Sequence, residues 1–582
     1  MDMNYKLCNM IKSKLINSPE WIIFIGVFLI FSLVNISYTG PTVLNDEIGY
    51  LSNAALIAGY IIDGASKYHA GYSFLLAPLF RIFSEPVHVW RAAMILNAFI
   101  WGASFFLLGR ILKMILPEYS KKQIFAALII SALYPAWITM SGYVFTTTAF
   151  VFVYLLSVLI FLFWKPDKFW TILPHAVAVG YLYWIHPIGL AVCIASFMIV
   201  TFVSLREKKY APLLINFALI MVLIFFYEEV VDEWLVMLAT VGDNNPSFNH
   251  YPDSEKITGG LFTFDYWLEA ATKATGQISY LIISSFGLII FGFITSIKKA
   301  VHLKSVNNSR NLIGNALYIY LALSLMGVIA MGVMFFALGN STRIDQWIYG
   351  RYTEMVVLPL LALGYLSFQN KKVLFIAAVF TIAAGLYLNQ IVDLGIINLS
   401  INIPAFWPQN MILINNYFYW MAAGAIIMVF IGLVRKHSKW GNKSGLAIIV
   451  LVFVSASVNQ VFIHNTRISA FGIPSDFVEI IRHNYPLGTC VGFSPKDLGH
   501  IREDEKKQIY NLHLFHLYNY KYRRMSHEEW LNNCDGPYLM FNLDWISAEK
   551  ASVRMVDLGL KYSFYMLTKK GMGDITIPEN IE

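Results

Sequence analysis

The stretch WIIFIGVFLIFSLVNISY, from Trp21 to Tyr38, carries no charged residue and is soon followed by Asn45-Asp46-Glu47-Ile48-Gly49-Tyr50. A membrane-spanning helix needs about 20 largely apolar residues, and Trp21–Tyr38 reads as the first of many. Upstream, Met1 to Leu15 carries Lys6, Lys12 and Lys14 and lacks the pattern of a cleaved leader, so this first span is expected to stay attached. Downstream, the same length criterion gives about thirteen spans in all. The others are Val87–Leu108, Ile124–Met140, Val144–Trp164, Phe169–Trp184, Ile188–Leu205, Ala211–Tyr227, Ile278–Ile297, Leu312–Leu338, Met355–Phe368, Val373–Val392, Leu413–Val434 and Leu446–Ile463.

Composition agrees. Of the 582 residues, 57% are hydrophobic and 14% charged, against about 25% charged in soluble domains. Such a chain cannot cover itself with polar groups, which excludes a soluble protein. The net charge of +7 does not point to nucleic acid, because most Lys and Arg lie between apolar spans. With the N-terminus inside, every inner loop is basic. These loops hold Arg110/Lys113/Lys121/Lys122, Lys165/Lys168, Arg206/Lys208/Lys209, Lys298/Lys299/Lys304/Arg310, Lys371/Lys372 and Arg435/Lys436/Lys439/Lys443. That is the positive-inside pattern, and one missed span would invert it.

The division expected is a transmembrane region, 1–463, with long outer loops 39–86 and 228–277, and an outer tail, 464–582. The tail alternates short apolar runs (Thr489–Phe493, Pro537–Leu543, Tyr562–Leu567) with helix-like stretches, and Ser526 with Glu529 has capping-box spacing. It reads as a small α/β domain. Cys490 and Cys534 both fall in it, where an oxidising compartment leaves a disulfide open. No cysteine or histidine spacing resembles a zinc site.

Four stretches carry chemistry, all on the predicted outer side. Asp46 and Glu47 suit general-base work at a membrane surface, with Tyr50 on the same helical face as Asp46. A plain acidic helix start is the alternative. Lys67 and His69, ahead of Tyr72 and the apolar run Phe74–Phe80, could meet a phosphate, or Lys67 could simply snorkel. His186, before Pro187, either contacts a phosphate or caps a turn. Arg351 and Tyr352 follow Gly350 just before a late span. A cation there runs against the orientation trend and suits bidentate phosphate contact, unless Asp345 or Glu354 pairs with it.

Together these residues resemble the GT-C superfamily of polyprenyl-phosphate-sugar glycosyltransferases, in the branch of the lipid A aminoarabinose transferase and protein O-mannosyltransferases. Asp46-Glu47-x-x-Tyr50 is similar to that branch's first-loop acidic motif. Lys67 through Ser73 is similar to the segment before its second span, and Gly350-Arg351-Tyr352 to its late Arg-Tyr element. Where the aminoarabinose enzyme has Lys-Pro-Pro, this chain has Tyr68-His69-Ala70-Gly71, which argues against identical substrates.

The resemblance implies a polytopic helical GT-C fold in a bacterial inner membrane, with the C-terminal domain in the periplasm. It implies inverting transfer of a sugar from a polyprenyl-phosphate donor to an envelope glycan or glycolipid, such as O-antigen of lipopolysaccharide. In that scheme Asp46 is the base, Glu47 orients a neighbour, Arg351 and Lys67 neutralise the leaving phosphate, and Tyr50, His69, Tyr72, His186 and Tyr352 shape the substrate site. No cofactor is required, although Asp46 and Glu47 leave a divalent cation open. The competing reading is a transporter or a lipid or glycan flippase. It calls for ionisable residues at mid-membrane, whereas here the acids gather at the outer ends.

Overall fold

Proline sets where several helices begin, since its fixed φ suits the first turn and its missing N–H costs nothing there. Pro19, Pro86 and Pro135 open three of them. The computed structural model describes residues 18–569, outside 39, 42–43, 63–65, 67, 239–262, 302–308, 338–343, 368–370, 390–404, 406–421, 431–440, 472–475, 495–502, 541–550 and 558–562. In chain order the helices are α1 (Pro19–Ile36), α2 (Asn45–Ala58), α3 (Gly71–Ile82), α4 (Pro86–Ile115), α5 (Lys121–Ala132), α6 (Pro135–Ser141), α7 (Thr146–Leu162), α8 (Leu173–Ile185), α9 (Gly189–Glu207) and α10 (Ala211–Phe226). They continue as α11 (Phe264–Ser284), α12 (Leu288–Val301), α13 (Ser309–Ala337), α14 (Arg351–Ser367), α15 (Lys371–Asn389), α16 (Gly441–Phe471), α17 (Asp476–Asn484), α18 (Glu503–His516) and α19 (His527–Asn533).

Six helices among the described residues are long and apolar enough to cross a membrane, or eight if each of two bent pairs is one span. Shorter apolar helices lie at Gly71–Ile82, Thr146–Leu162, Phe169–Ile185 and Val373–Tyr387. The molecule is therefore a multi-pass helical membrane protein. Large apolar side chains such as Ile25, Leu29 and Leu33 on α1 stay exposed, a surface suited to lipid.

The expected stretches carry helix over most of their length, except Leu413–Val434, where the described helix covers 422–430 only. Two differ in shape. Ile124–Met140 bends by 57° between α5 and α6, where Pro135 follows. Ile278–Ile297 is not one straight span: α11 and α12 meet at 105°, through Phe286 (φ 49°) and Gly287 (φ 80°). The segments taken as outer loops also hold structure. Loop 39–86 forms α2 and α3, and α3 buries Tyr72, Leu76 and Phe80 along one face. Segment 228–277 continues the α10 helix to Leu238 and re-enters helix at Phe264, and its middle lies outside the described residues.

Ion pairs join the basic connections. Lys113 meets Glu20 at 2.5 Å, Lys209 meets Asp167 at 3.6 Å and Lys299 meets Glu118 at 3.8 Å. Glu20 opens α1, whereas Asp46 lies beyond its far end.

Near the C-terminus five strands form one sheet: β1 (Cys490–Phe493), β2 (Lys521–Arg524), β3 (Tyr538–Met540), β4 (Ala551–Asp557) and β5 (Ser563–Lys569), in the order β2-β1-β3-β5-β4. β2, β1 and β3 are parallel, whereas β5 runs antiparallel to β3 and β4. Ser526 and Glu529 form the expected capping box on α19. The sheet region docks on the α3–α4 link, where the Tyr518 hydroxyl donates to the Ser84 carbonyl (3.0 Å) and Arg482 lies 3.5 Å from Glu85.

Cys490 and Cys534 are joined in a disulfide across 44 positions. With Asp535 they form the cluster of metal-ligand types found among the described residues, but both sulfurs are committed to each other and Asp535 accepts the Cys490 N–H (2.9 Å). Closing a loop of that length stabilises by about 2–4 kcal/mol. Replacing both cysteines by serine is expected to make the sheet region, not the helical bundle, the first target in limited proteolysis. Equal resistance of both proteins would refute this.

Candidate active site

The first turn of α2 carries both acids of the Asp46-Glu47 motif, and each faces different partners. Glu47 is buried. Its Oε2 accepts the Leu44 N–H (3.1 Å) at the start of α2, and its Oε1 accepts the Val144 N–H (2.9 Å). Glu47 thus ties the start of α2 to the turn between α6 and α7. Asp46 is 29% exposed. Its Oδ1 accepts the Tyr68 hydroxyl (3.0 Å) and its Oδ2 accepts Nη2 of Arg351 (2.5 Å).

Arg351 opens α14, 305 positions away, and is 4% exposed. Its guanidinium lies 4.3 Å from the Phe145 ring centroid, and its Nε is buried with no hydrogen-bond partner. Phe145 follows Val144, so the grip of Glu47 also sets the aromatic floor beneath Arg351. Gly350 lies against Tyr280, where a Cβ would come within 1.9 Å of the ring. Only glycine lets α14 start so close to α11.

Arg351 therefore pairs with Asp46 and not with Glu354. Glu354 is fully buried and accepts the hydroxyls of Tyr134 (3.3 Å) and Tyr280. The Tyr280 oxygen in turn accepts the Ala405 N–H (3.1 Å). This knot holds the first turn of α14.

Of the two predicted histidines, His186 lies in the field of the Asp46–Arg351 pair and His69 adjoins His186. His186 feels Arg351, His69 and Asp46, and its ring is 5.0 Å from Tyr352. Its Nδ1 accepts the Ile188 N–H (3.1 Å), which leaves the neutral ring's proton on Nε2. Burial, then Arg351 and His69, hold its pKa well below the ordinary value. His69 donates from Nδ1 to the Tyr183 carbonyl (2.5 Å) and stacks on Tyr227 at 4.6 Å. Burial lowers its pKa to about 4, although the Tyr183 carbonyl and Glu228 oppose this. Both imidazoles are neutral at pH 7.

A stability prediction follows from His69. Below its ordinary value of 6.5 the unfolded chain takes up a proton that the folded chain refuses until about 4. Stability is lost as pH falls through that window and is unaffected above it. At 1.36 kcal/mol per unit the loss approaches about 3 kcal/mol. His69→Asn keeps a donor for Tyr183 without the titration, so its melting temperature should fall less than the wild type's between pH 6.5 and 4. Parallel curves would remove His69 as a source of acid lability.

The remaining predicted residues divide. Tyr50 is buried one turn from Asp46, 5.3 Å from the Tyr68 ring, and burial followed by Asp46 pushes its phenol up. Tyr352 packs on Phe336 (5.6 Å) and Tyr349 (4.7 Å) beside Arg351. Tyr72 meets the Tyr50 ring edge-on at 6.2 Å, and its hydroxyl donates to Asn97 Oδ1 (2.6 Å), whose amide holds the Tyr143 carbonyl (2.9 Å). Lys67 lies outside the described residues. Tyr68, Phe145, Tyr183 and Tyr227 also touch these residues, beyond those predicted for the site. Tyr68 had a signal, since it stands in the Lys67–Ser73 motif, whereas the other three are known only by their contacts.

All four oxygens of the acidic pair accept hydrogen bonds. Among the described residues, the Arg351 guanidinium is a positive charge facing Asp46.

No protein-family model and no curated protein matches the chain. Among solved structures it is similar to ArnT from Cupriavidus metallidurans in the apo state, at 12% identity over 95% of this chain and 99% of that one, with a TM-score of 0.49. It is also similar to the Archaeoglobus fulgidus oligosaccharyltransferase tethered with an acceptor peptide containing the NVT sequon, at 11% identity, 86% and 63% coverage and a TM-score of 0.36. The same organism's AglB, in complex with an inhibitory peptide and a dolichol-phosphate, gives 12%, 81% and 62%, and 0.33.

Proposed function

We propose that this protein is an inverting glycosyltransferase of the bacterial inner membrane. It moves a sugar from a polyprenyl-phosphate donor to an envelope glycan or glycolipid, such as O-antigen, on the periplasmic side. The observation that carries the reading is the Asp46–Arg351 pair, a carboxylate and a buried guanidinium brought together across the chain beside two neutral histidines. A base and a leaving-group cation are the two charges this displacement needs.

In the reaction, the acceptor O–H proton passes to Asp46 as its oxygen bonds the anomeric carbon. The bond from that carbon to the phosphate oxygen breaks, and the electron pair leaves with the phosphate, whose charge Arg351 neutralises. His186 offers its Nε2–H to the sugar or the phosphate, and Tyr50, His69 and Tyr352 wall the pocket. Glu47 acts through the backbone it holds, and Tyr72 through Asn97. The donor's hydrocarbon chain suits an apolar groove of about 730 Å³ that includes Leu75, Phe99, Phe152, Val177 and Tyr181. Tyr181 donates to the Gly71 carbonyl (2.7 Å), two residues from His69. In this reading residues 464–582 are the periplasmic domain, and 1–463 bear the catalysis.

Mass spectrometry of envelope glycans with and without the gene tests the reading. It expects the loss of one sugar unit, restored by the wild type and not by Asp46→Asn. An unchanged glycan profile with altered solute uptake would overturn it in favour of a transporter.

A further inference from the structure

Arg351 makes incomplete use of one edge. The Nε–H and Nη2 of a guanidinium point the same way and form a fork for two oxygens. Asp46 fills only Nη2, because its other oxygen is held by Tyr68, and Nε is left buried without a partner. As oriented by Tyr68, Asp46 leaves this fork half-filled, whereas a phosphate presents two oxygens at once.

We infer that the donor's phosphate exchanges with Asp46 at Arg351, so that donor binding itself uncovers the base. The inference rests on the glycosyl-transfer reading above and adds an order to it. In the resting protein the ion pair occupies Oδ2 of Asp46. When phosphate oxygens take Nε and Nη2, Asp46 keeps Tyr68 on Oδ1 and turns Oδ2 to the acceptor hydroxyl. The acceptor's proton moves to Oδ2 as the new glycosidic bond forms, and the phosphate departs with the electron pair. After that proton passes to solvent, the restored carboxylate competes for Arg351 and helps expel the polyprenyl phosphate. Acceptor chemistry, and wasteful hydrolysis by water, are thereby tied to donor occupancy.

The probe is farnesyl phosphate, titrated onto the full-length protein in detergent. Asp46→Asn should bind it about tenfold more tightly than wild type, since no ion pair of intermediate burial need be broken. Removing a negative charge could tighten anion binding for other reasons, so Tyr68→Phe supplies the decisive arm. Without the Tyr68 hydroxyl, Asp46 can close on both Nε and Nη2. Farnesyl phosphate should then bind several-fold more weakly, and this effect should vanish in the Asp46→Asn background. If Asp46→Asn does not reach the membrane, Asp46→Ser takes its place. Binding that needs Arg351 but shows the same Tyr68→Phe effect in both backgrounds, or none, overturns the exchange and leaves the phosphate site standing. Absence of binding to wild type and to Asp46→Asn alike overturns the phosphate site as well.

Discussion

Asp46→Asn is expected to leave the protein in the membrane and to lower the transfer rate by about 10²–10⁴-fold, the usual contribution of a positioned general base. The side chain keeps its shape, and its amide oxygen can still accept the Tyr68 hydroxyl. What disappears is the acceptor for a proton and the counter-charge for Arg351, which is 4% exposed. Removing one partner of a buried pair costs about 3–5 kcal/mol, but Asp46 is 29% exposed, so water softens the loss. The fold has a large buried core, with Tyr50, Tyr72, Trp90 and Trp101 among its fully buried side chains, and is expected to tolerate that deficit. Asp46→Glu separates position from chemistry: it retains a base but displaces it by a methylene, and misplacement of about 1 Å costs on the order of 10²-fold. Purified variants assayed with a polyprenyl-phosphate sugar decide the matter. Full activity in Asp46→Asn would remove Asp46 as base.

The class of this fold was legible because lipid imposes a long-range constraint that short windows of sequence record. The first-loop acids and the late arginine, read from sequence alone, come together in the structure. The bends at Tyr134 and Phe286 were not legible. Hydropathy sums apolar character and is blind to direction, so Ser284-Ser285-Phe286-Gly287 passed as mid-span when it is a corner. In the sheet, β1, β3 and β5 announced themselves as apolar runs. β2 reads Lys-Tyr-Arg-Arg and β4 carries Arg554 and Asp557, and neither offers that signal. At the site, the motif identified Asp46 and Arg351, but not that they touch. Nor could it assign Glu47, whose oxygens are both given to backbone N–H groups. A motif records which residues are present, whereas a role depends on which atoms remain to be satisfied.

Arg351→Ala carries the second large effect, and its kinetic form matters more than its size. The loss of a preorganised charge at a developing anion lowers kcat by about 10²–10³-fold. Because the same group grips the donor in the ground state, KM for the donor should rise as well, while KM for the acceptor stays put. Arg351→Lys tests geometry against charge. A lysine is a point charge on a flexible stem, without the plane that lies over Phe145 or the Nε–Nη2 edge. It should recover only part of kcat and little of the donor affinity. Loss of Asp46's counter-ion alone cannot mimic this pattern, since it would act on the acceptor step and leave the donor KM in place. Arg351→Ala with an unchanged donor KM and kcat would detach the arginine from the phosphate and, with it, the charge complementarity on which the assignment of this site depends.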